Sequence, residues 1–273
     1  MSLSVLVVPQ WQGSGSRTAH RLWRGAAELA ALIPAAERVT VDVDAPPGPA
    51  RDGVTAHDAL VANLRATRTA LAGLDGRPVV TVGGDCGVDL APIEAALAAH
   101  GERLAVVWFD AHGDLNTPAS SPSGAFHGMV LRTLLGDGPP SLVPAQPLRP
   151  DRLVLAGVRA LDPAERDFIA AHAVRHVAAP ALAEPSTVVD AVAATGADTV
   201  YVHIDLDVLD PDGFASVGTP EPGGVTADQL AAAVRALAGR FTLAGLAITE
   251  YEPSRAADHV VLEELLPMIK ASL

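Results

Sequence analysis

The sequence predicts an α/β fold of three layers, α/β/α, built on a mostly parallel central sheet of roughly eight strands. Three observations predict it. Short apolar runs recur along the chain, and several are continuous rather than alternating, as strands buried on both faces of a parallel sheet are. Ala-rich segments of helical length separate many of these runs. No linker, repeat or charge block interrupts the alternation, so residues 1–273 read as a single domain.

Taken in order, the apolar run Leu3–Val8 is the first strand and Thr18–Leu32 the first helix. Arg38–Val43 precedes a helix over Ala56–Leu74, and Pro78–Val82 precedes one over Val88–Ala99. Arg103–Phe109 is a continuous apolar strand that runs into a polar, acidic segment. Arg152–Gly157 leads to Pro163–Ala171, Val174–Val177 to Ser186–Ala194, and Asp198–Leu206 to Thr226–Ala238. In the last of these helices Thr226 and Gln229 have the spacing of a capping box. Phe241–Thr249 is the final strand and Ala257–Ala271 the final helix. The Pro- and Gly-rich stretches Ala45–Ala50, Gly136–Pro150 and Gly218–Gly224 read as surface loops.

Composition narrows the function. About half of the residues, 49%, are apolar, enough for a sizeable core. A formal charge of −13 argues against nucleic acid and against anionic membrane as partners. A single cysteine, Cys86, excludes an internal disulfide and fits a reducing, cytoplasmic compartment. The apolar run Met1–Pro9 has no basic flank or cleavage site and does not read as a signal peptide. No run approaches the roughly 18 apolar residues of a membrane span.

The chemistry concentrates between Trp108 and Gly128, in W-F-D-A-H-G-D-L-N-T-P-A-S-S-P-S-G-A-F-H-G. Asp110, His112 and Asp114 fall at every second position, so at a strand end their side chains can converge. Carboxylates and an imidazole that converge make a ligand set for a divalent metal. The pattern returns in His203-Ile204-Asp205-Leu206-Asp207, and two such clusters suggest two ions and hydrolysis by an activated water. Two further segments, Gly83-Gly84-Asp85-Cys86 and Thr249-Glu250, also follow strands. All four therefore fall at the carboxyl edge of the sheet, where open α/β folds form their sites. Dinucleotide, P-loop, nucleophile-elbow and His-Glu-x-x-His motifs are absent from the sequence.

In order, spacing and strand position these four segments resemble the ureohydrolases, the family of arginase and agmatinase, over Gly83 to Pro253. The resemblance implies an arginase-like fold and a binuclear manganese centre. One ion would be held by Cys86, Asp110, Asp114 and Asp205 and the other by His112, Asp110, Asp205 and Asp207, with Asp110 and Asp205 shared. It implies that Asn116, Ser121 and Ser123 hold the α-carboxylate of an amino-acid substrate, and that Asp162 receives its α-amino group. Glu250 would orient the guanidino group, and His127 or the neighbourhood of Asp110 would protonate the leaving amine. A small-molecule guanidino amino acid is thus favoured over agmatine, which has no carboxylate. Relatives are commonly trimers or hexamers, so the resemblance also implies a homo-oligomer.

Cys86 departs from the family, which usually has histidine there. A thiolate is softer than manganese prefers and suits zinc better, so zinc or another divalent ion is an alternative. Asp110, Asp114, Asp205 and Asp207 already match the charge of two divalent ions, and a thiolate adds a negative charge beyond that. The excess weakens Lewis acidity and raises the pKa of the activated water. That disfavours arginine, whose guanidinium is fully charged, and suits an N-hydroxyguanidine, which is less basic. At finer grain the cysteine resembles the amidinohydrolases that cleave Nω-hydroxy-L-arginine to ornithine and hydroxyurea in D-cycloserine biosynthesis. The expected function is therefore that cleavage. Arginase or another guanidino-acid hydrolase is the nearest alternative, and a non-catalytic metal-binding protein on the same fold is a second.

Plainer roles compete at several positions. Ser121 and Ser123 also make an ordinary turn, Asp162 before Pro163 an ordinary helix start, and Asp210 before Pro211 a turn. His127 could cap the helix after it, and Cys86 could be an inert buried thiol. His203 shares a strand face with Asp205 and Asp207, and a core role behind them is expected for it.

Overall fold

In a computed structural model, residues 3–43, 46–74 and 79–270 are described. Met1, Ala45, Pro78 and Ala271, which end four of the expected segments, lie outside the described residues. The strands are β1 (Ser4–Val8), β2 (Glu37–Thr40), β3 (Val79–Gly83), β4 (Leu104–Phe109), β5 (Leu153–Ala156), β6 (Arg175–Val177), β7 (Thr199–Asp205) and β8 (Thr242–Thr249). They form one eight-stranded sheet in the order β2-β1-β3-β8-β7-β4-β5-β6. Each pairing is parallel.

The helices are α1 (Arg21–Leu32), α2 (His57–Ala72), α3 (Leu90–His100), α4 (Val130–Leu134), α5 (Pro163–His172), α6 (Ser186–Ala193), α7 (Ala227–Arg240) and α8 (Ala256–Lys270). Their apolar faces divide between the two sides of the sheet. Ala105, Val107 and Phe109 of β4 pack in one core with Leu29 of α1, Val188 of α6, Val234 of α7 and Leu262 of α8. The alternate residues Leu104, Val106 and Trp108 pack in another with Leu60 of α2, Ile93 of α3, Leu131 of α4 and Phe168 of α5. The period-two alternation of a strand thus feeds two cores, and the result is the three-layer α/β/α arrangement.

Element ends differ from the sequence expectation where side chains compete with the helix. Thr18, expected to open the first helix, sits in a turn: its N–H donates to Ser16 Oγ at 3.1 Å, and α1 begins at Arg21. α4 falls in none of the segments read as helices, although His127 could cap a helix after it; five residues are too few for helical periodicity to register. The capping box of α7 forms as expected, with Gln229 N donating to Thr226 Oγ1 at 3.2 Å and Thr226 N to Gln229 Oε1 at 2.9 Å. Among the described residues no helix is long and apolar enough to cross a membrane.

The strand order positions the site. β3, β8, β7 and β4 are four neighbours at the centre of the sheet, and Val82 pairs with Ile248, Ile248 with Ile204, and Ile204 with Phe109. The residues just beyond these positions therefore leave the sheet side by side.

Candidate metal centre

Each central strand delivers its polar residues through a sharp local turn. After β3 the chain passes Gly84, where a Cβ would lie 1.7 Å from the Gln10 carbonyl oxygen, so only glycine fits. Asp85 then accepts from Gln10 Nε2 and Gly13 N at 2.8 Å and from Gly87 N at 2.9 Å, which fixes the turn that presents Cys86. Burial, and then the charge of Glu250, push Asp85 up to about 7 despite these donors. After β4, Asp114 has a left-handed φ of 50°, and after β8, Glu250 has one of 63°. Such backbone is costly for non-glycine residues and persists only where surrounding structure enforces it.

The side chains converge. Cys86 is 1% exposed, with Sγ 3.2 Å from Asp205 Oδ2. Asp110 Oδ1 accepts from His112 N at 2.6 Å and Asp110 Oδ2 from Trp108 Nε1 at 2.9 Å. His112 Nδ1 lies 2.9 Å from Asp207 Oδ2 and 3.5 Å from Asp110 Oδ1. Asp207 Oδ1 accepts from Ala111 N at 3.0 Å, and Asp205 Oδ1 from Asp207 N at 2.7 Å. Three groups bring candidate ligand atoms within 4.8 Å of one another: Asp110, His112 and Asp207; Cys86, Asp205 and Glu250; and Cys86, Asp110 and His203.

So many buried acids repel one another. Burial, and then the mutual charges of the carboxylates, hold Asp110 above and Asp114 and Asp205 well above the usual carboxylate range. The same two causes, burial and then Asp205, push the Cys86 thiol up. Burial acts upward on Asp207 as well, but its bond to His112 outweighs it and the carboxyl titrates low. On His112 burial acts downward and is outweighed by Asp110 and Asp207, which push it up to about 12. Asp114 Oδ2 is buried with no hydrogen-bond partner among the described residues. An orphaned carboxylate oxygen beside mutually repelling acids fits a site for positive ions, because divalent cations remove both costs.

A cavity of about 440 Å³ opens onto this cluster. His112, Asp114, Asp205 and His127 line one part of it, and Asn116, Ser121, Ser123 and Asp162 line another. Asn116 Nδ2 donates to Asp162 Oδ2 at 2.8 Å, tying two of the expected substrate residues together. The plainer roles are also filled: Asp162 makes a capping box with Glu165 at the start of α5. Ser121 Oγ accepts from Gly124 N at 3.0 Å and Ser123 Oγ from Ala125 N at 3.2 Å. Asp210 accepts from Asp212 N, Gly223 N and Gly224 N, the turn role expected of it.

Cys86, Asp110, Asp207 and Glu250 lie beneath the cavity wall, none more than 2% exposed. Glu250 Oε1 accepts from Cys86 N at 3.1 Å and lies 3.2 Å from His127 Nδ1, while His127 Nε2 accepts from Gly15 N at 3.1 Å. Burial opposes protonation of His127, and Glu250 outweighs it.

Sequence reasoning did not single out Glu165, Thr219 or Glu221, which also line the cavity. Glu165 receives Leu115 N at 2.9 Å and Thr219 Oγ1 donates to Asp207 Oδ2 at 3.0 Å. The Asp-x-x-Glu spacing of Asp162 and Glu165 was the one available signal.

A family model described as the arginase family matches residues 12–263. An arginase of Bacillus caldovelox is 33% identical over 276 residues, covering 92% of this chain and 91% of its own. The solved structure of Entamoeba histolytica arginase in complex with L-ornithine superposes with a TM-score of 0.88 at 23% identity, covering 98% of both chains. The proclavaminate amidino hydrolase of Streptomyces clavuligerus gives 0.76 at 23% identity, covering all of this chain and 93% of its own. At these identities the two structures speak for the fold.

Proposed function

This chain belongs to the arginase family, hydrolases of amidino carbon–nitrogen bonds, and from that premise we propose that it cleaves Nω-hydroxy-L-arginine to L-ornithine and hydroxyurea. The observation that carries the reading is the cavity, whose wall joins Asn116, Ser121, Ser123 and Asp162 to His112, Asp114 and Asp205 of the acidic cluster. In this reading Cys86, Asp110, Asp114 and Asp205 hold one divalent ion and His112, Asp110, Asp205 and Asp207 a second. Bound there, the ions would supply Lewis acidity and an activated water.

The chain's own groups do the rest. Ser121 and Ser123 accept backbone N–H groups, which leaves both hydroxyl hydrogens free to donate to a substrate carboxylate. Asn116 has one amide hydrogen engaged by Asp162 and one to spare, and Asp162 offers its charge to an α-ammonium group. Glu250 aligns the guanidino carbon beside the buried acids. His127 is the proton carrier to the leaving amine. The Gly15 amide occupies Nε2 in the resting site, so transfer through that nitrogen requires this contact to open.

Cys86 supports the hydroxylated substrate. Deprotonated by a bound metal, Cys86 would add a thiolate to the four carboxylates and make the centre electron-rich, and the less basic N-hydroxyguanidine can react as a neutral group. A second reading, hydrolysis of arginine itself, is favoured by the arginase relative. Ornithine release by manganese-loaded protein from the two substrates at equal concentration decides between them. A preference of about tenfold or more for hydroxyarginine is expected, narrowed by Cys86→His. Equal or faster turnover of arginine by the unmodified chain would overturn the proposed substrate.

A further inference from the structure

His203 is fully buried on β7, two residues before Asp205 and on the same strand face. Two neighbours fix it. Nδ1 lies 2.7 Å from Asp89 Oδ2, and Asp89 Oδ1 accepts from the Tyr201 hydroxyl at 2.6 Å. The Trp108 ring lies flat on the imidazole, with centroids 3.4 Å apart and planes 4° from parallel. The same Trp108 donates Nε1–H to Asp110 Oδ2, so one side chain holds both His203 and Asp110.

Asp89 occupies Nδ1, which leaves Nε2 as the ring nitrogen turned toward other partners. Among the described residues the one hydrogen-bond partner of Nε2 is Thr249 Oγ1 at 3.4 Å, long for a hydrogen bond. A ring nitrogen of His203, Cys86 Sγ and an Asp110 oxygen lie within 4.8 Å of one another. An imidazole whose second nitrogen is anchored by a buried carboxylate is the usual arrangement of a metal-binding histidine. The reach of Cys86 agrees. Sγ is one bond from Cβ and 3.2 Å from Asp205 Oδ2, so an ion about 2.3 Å beyond it stays close to β7, on which His203 lies.

We propose that His203 is a metal ligand, and that Cys86, Asp110 and His203 form a sulfur, oxygen and nitrogen set that selects zinc or a similar borderline ion. The oxygen-rich set around His112 is left to a harder ion such as manganese, giving a centre of two unlike metals. The inference deepens the metal-dependent reading above and rests on it.

The test uses the whole chain, stripped by chelation and reloaded with equal manganese and zinc. Metal content and zinc X-ray absorption are read without reference to turnover. One zinc with sulfur and imidazole in its shell is expected, beside one manganese. His203→Asn keeps a donor to Asp89 but deletes Nε2; it should weaken zinc at least 100-fold and spare manganese. Asp89→Asn, which leaves the ligands in place, should cost about 10–100-fold in zinc affinity. A folded His203→Asn protein with unchanged zinc affinity and imidazole signal overturns the assignment. If that variant does not fold, sulfur-bound zinc without imidazole in the unmodified chain overturns it. Two manganese ions and no sulfur-bound zinc overturn this assignment alone, whereas a chain that binds no divalent ion overturns the amidinohydrolase reading with it.

Discussion

Asp114 is buried, held at a left-handed φ, and leaves one carboxylate oxygen without a donor. Among the described residues nothing donates to that oxygen, so its value lies in what it would bind. Asp114→Ala is expected to remove one of two bound ions and lower kcat at least about 100-fold, because a metal ion supplies several kcal/mol of transition-state stabilisation. Removing a buried carboxylate that leaves an oxygen unpaired should leave the fold intact. Metal content and circular dichroism on the same sample check it, and full metal binding with full activity would remove Asp114 from the site. Asp114 could be picked out in the sequence because its spacing from Asp110 and His112 repeats a strand period. Asp89 could not, because its partners Tyr201 and His203 are distant in sequence, and Glu165 offered only its local capping-box spacing from Asp162, not its bond to Leu115.

At the scale of elements, propensity and punctuation were legible where they were local. The capping box of α7 needs only Thr226 and Gln229, both within one helical turn, and it forms as the spacing predicts. Thr226→Ala should cost about 1 kcal/mol, which is roughly 2–4 °C in Tm for a chain of this size. Thermal melting of the two proteins tests this; an unchanged Tm would show that the cap adds nothing to the packed helix. The start of α1 was less legible, since Ser16 and Thr18 divert the backbone into a turn before the helix can begin. Strand ends carry the larger consequence. The turns after β3, β4 and β8 set Cys86, Asp114 and Glu250, and at two of these the backbone is left-handed.

For the whole molecule, the buried acids link stability to pH and metal. Asp85 titrates at about 7 in the fold, against roughly 3.9 unfolded. A raised carboxyl favours the folded state while protonated, and that advantage fades as pH climbs through its folded pKa. His112, raised to about 12, favours the folded state fully below its unfolded pKa near 6.5 and loses that advantage as pH rises toward 12. Between pH 5.5 and 7.5 both effects have the same sign. Metal-free protein should therefore melt lower at pH 7.5 than at 5.5, with roughly 2 kcal/mol from Asp85 alone. Adding divalent metal should reverse the trend, because ions bind the deprotonated ligands. A metal-free Tm that rises across this interval would contradict the charge balance drawn for the cluster.

The sequence by itself determined that strands and helices alternate, and which strand ends carry acids, imidazole and thiol. Hydrophobic runs and short spacings are local, and local pattern survives in a linear chain. It also carried the family, since the four motifs keep their order from Gly83 to Pro253. Only the tertiary structure decided that β3, β8, β7 and β4 are neighbours, because strand order in a parallel sheet is set by long crossovers and by packing on both faces. That adjacency brings Cys86 to Asp205, and it brings a ring nitrogen of His203, a core side chain by pattern, within 4.8 Å of the same sulfur.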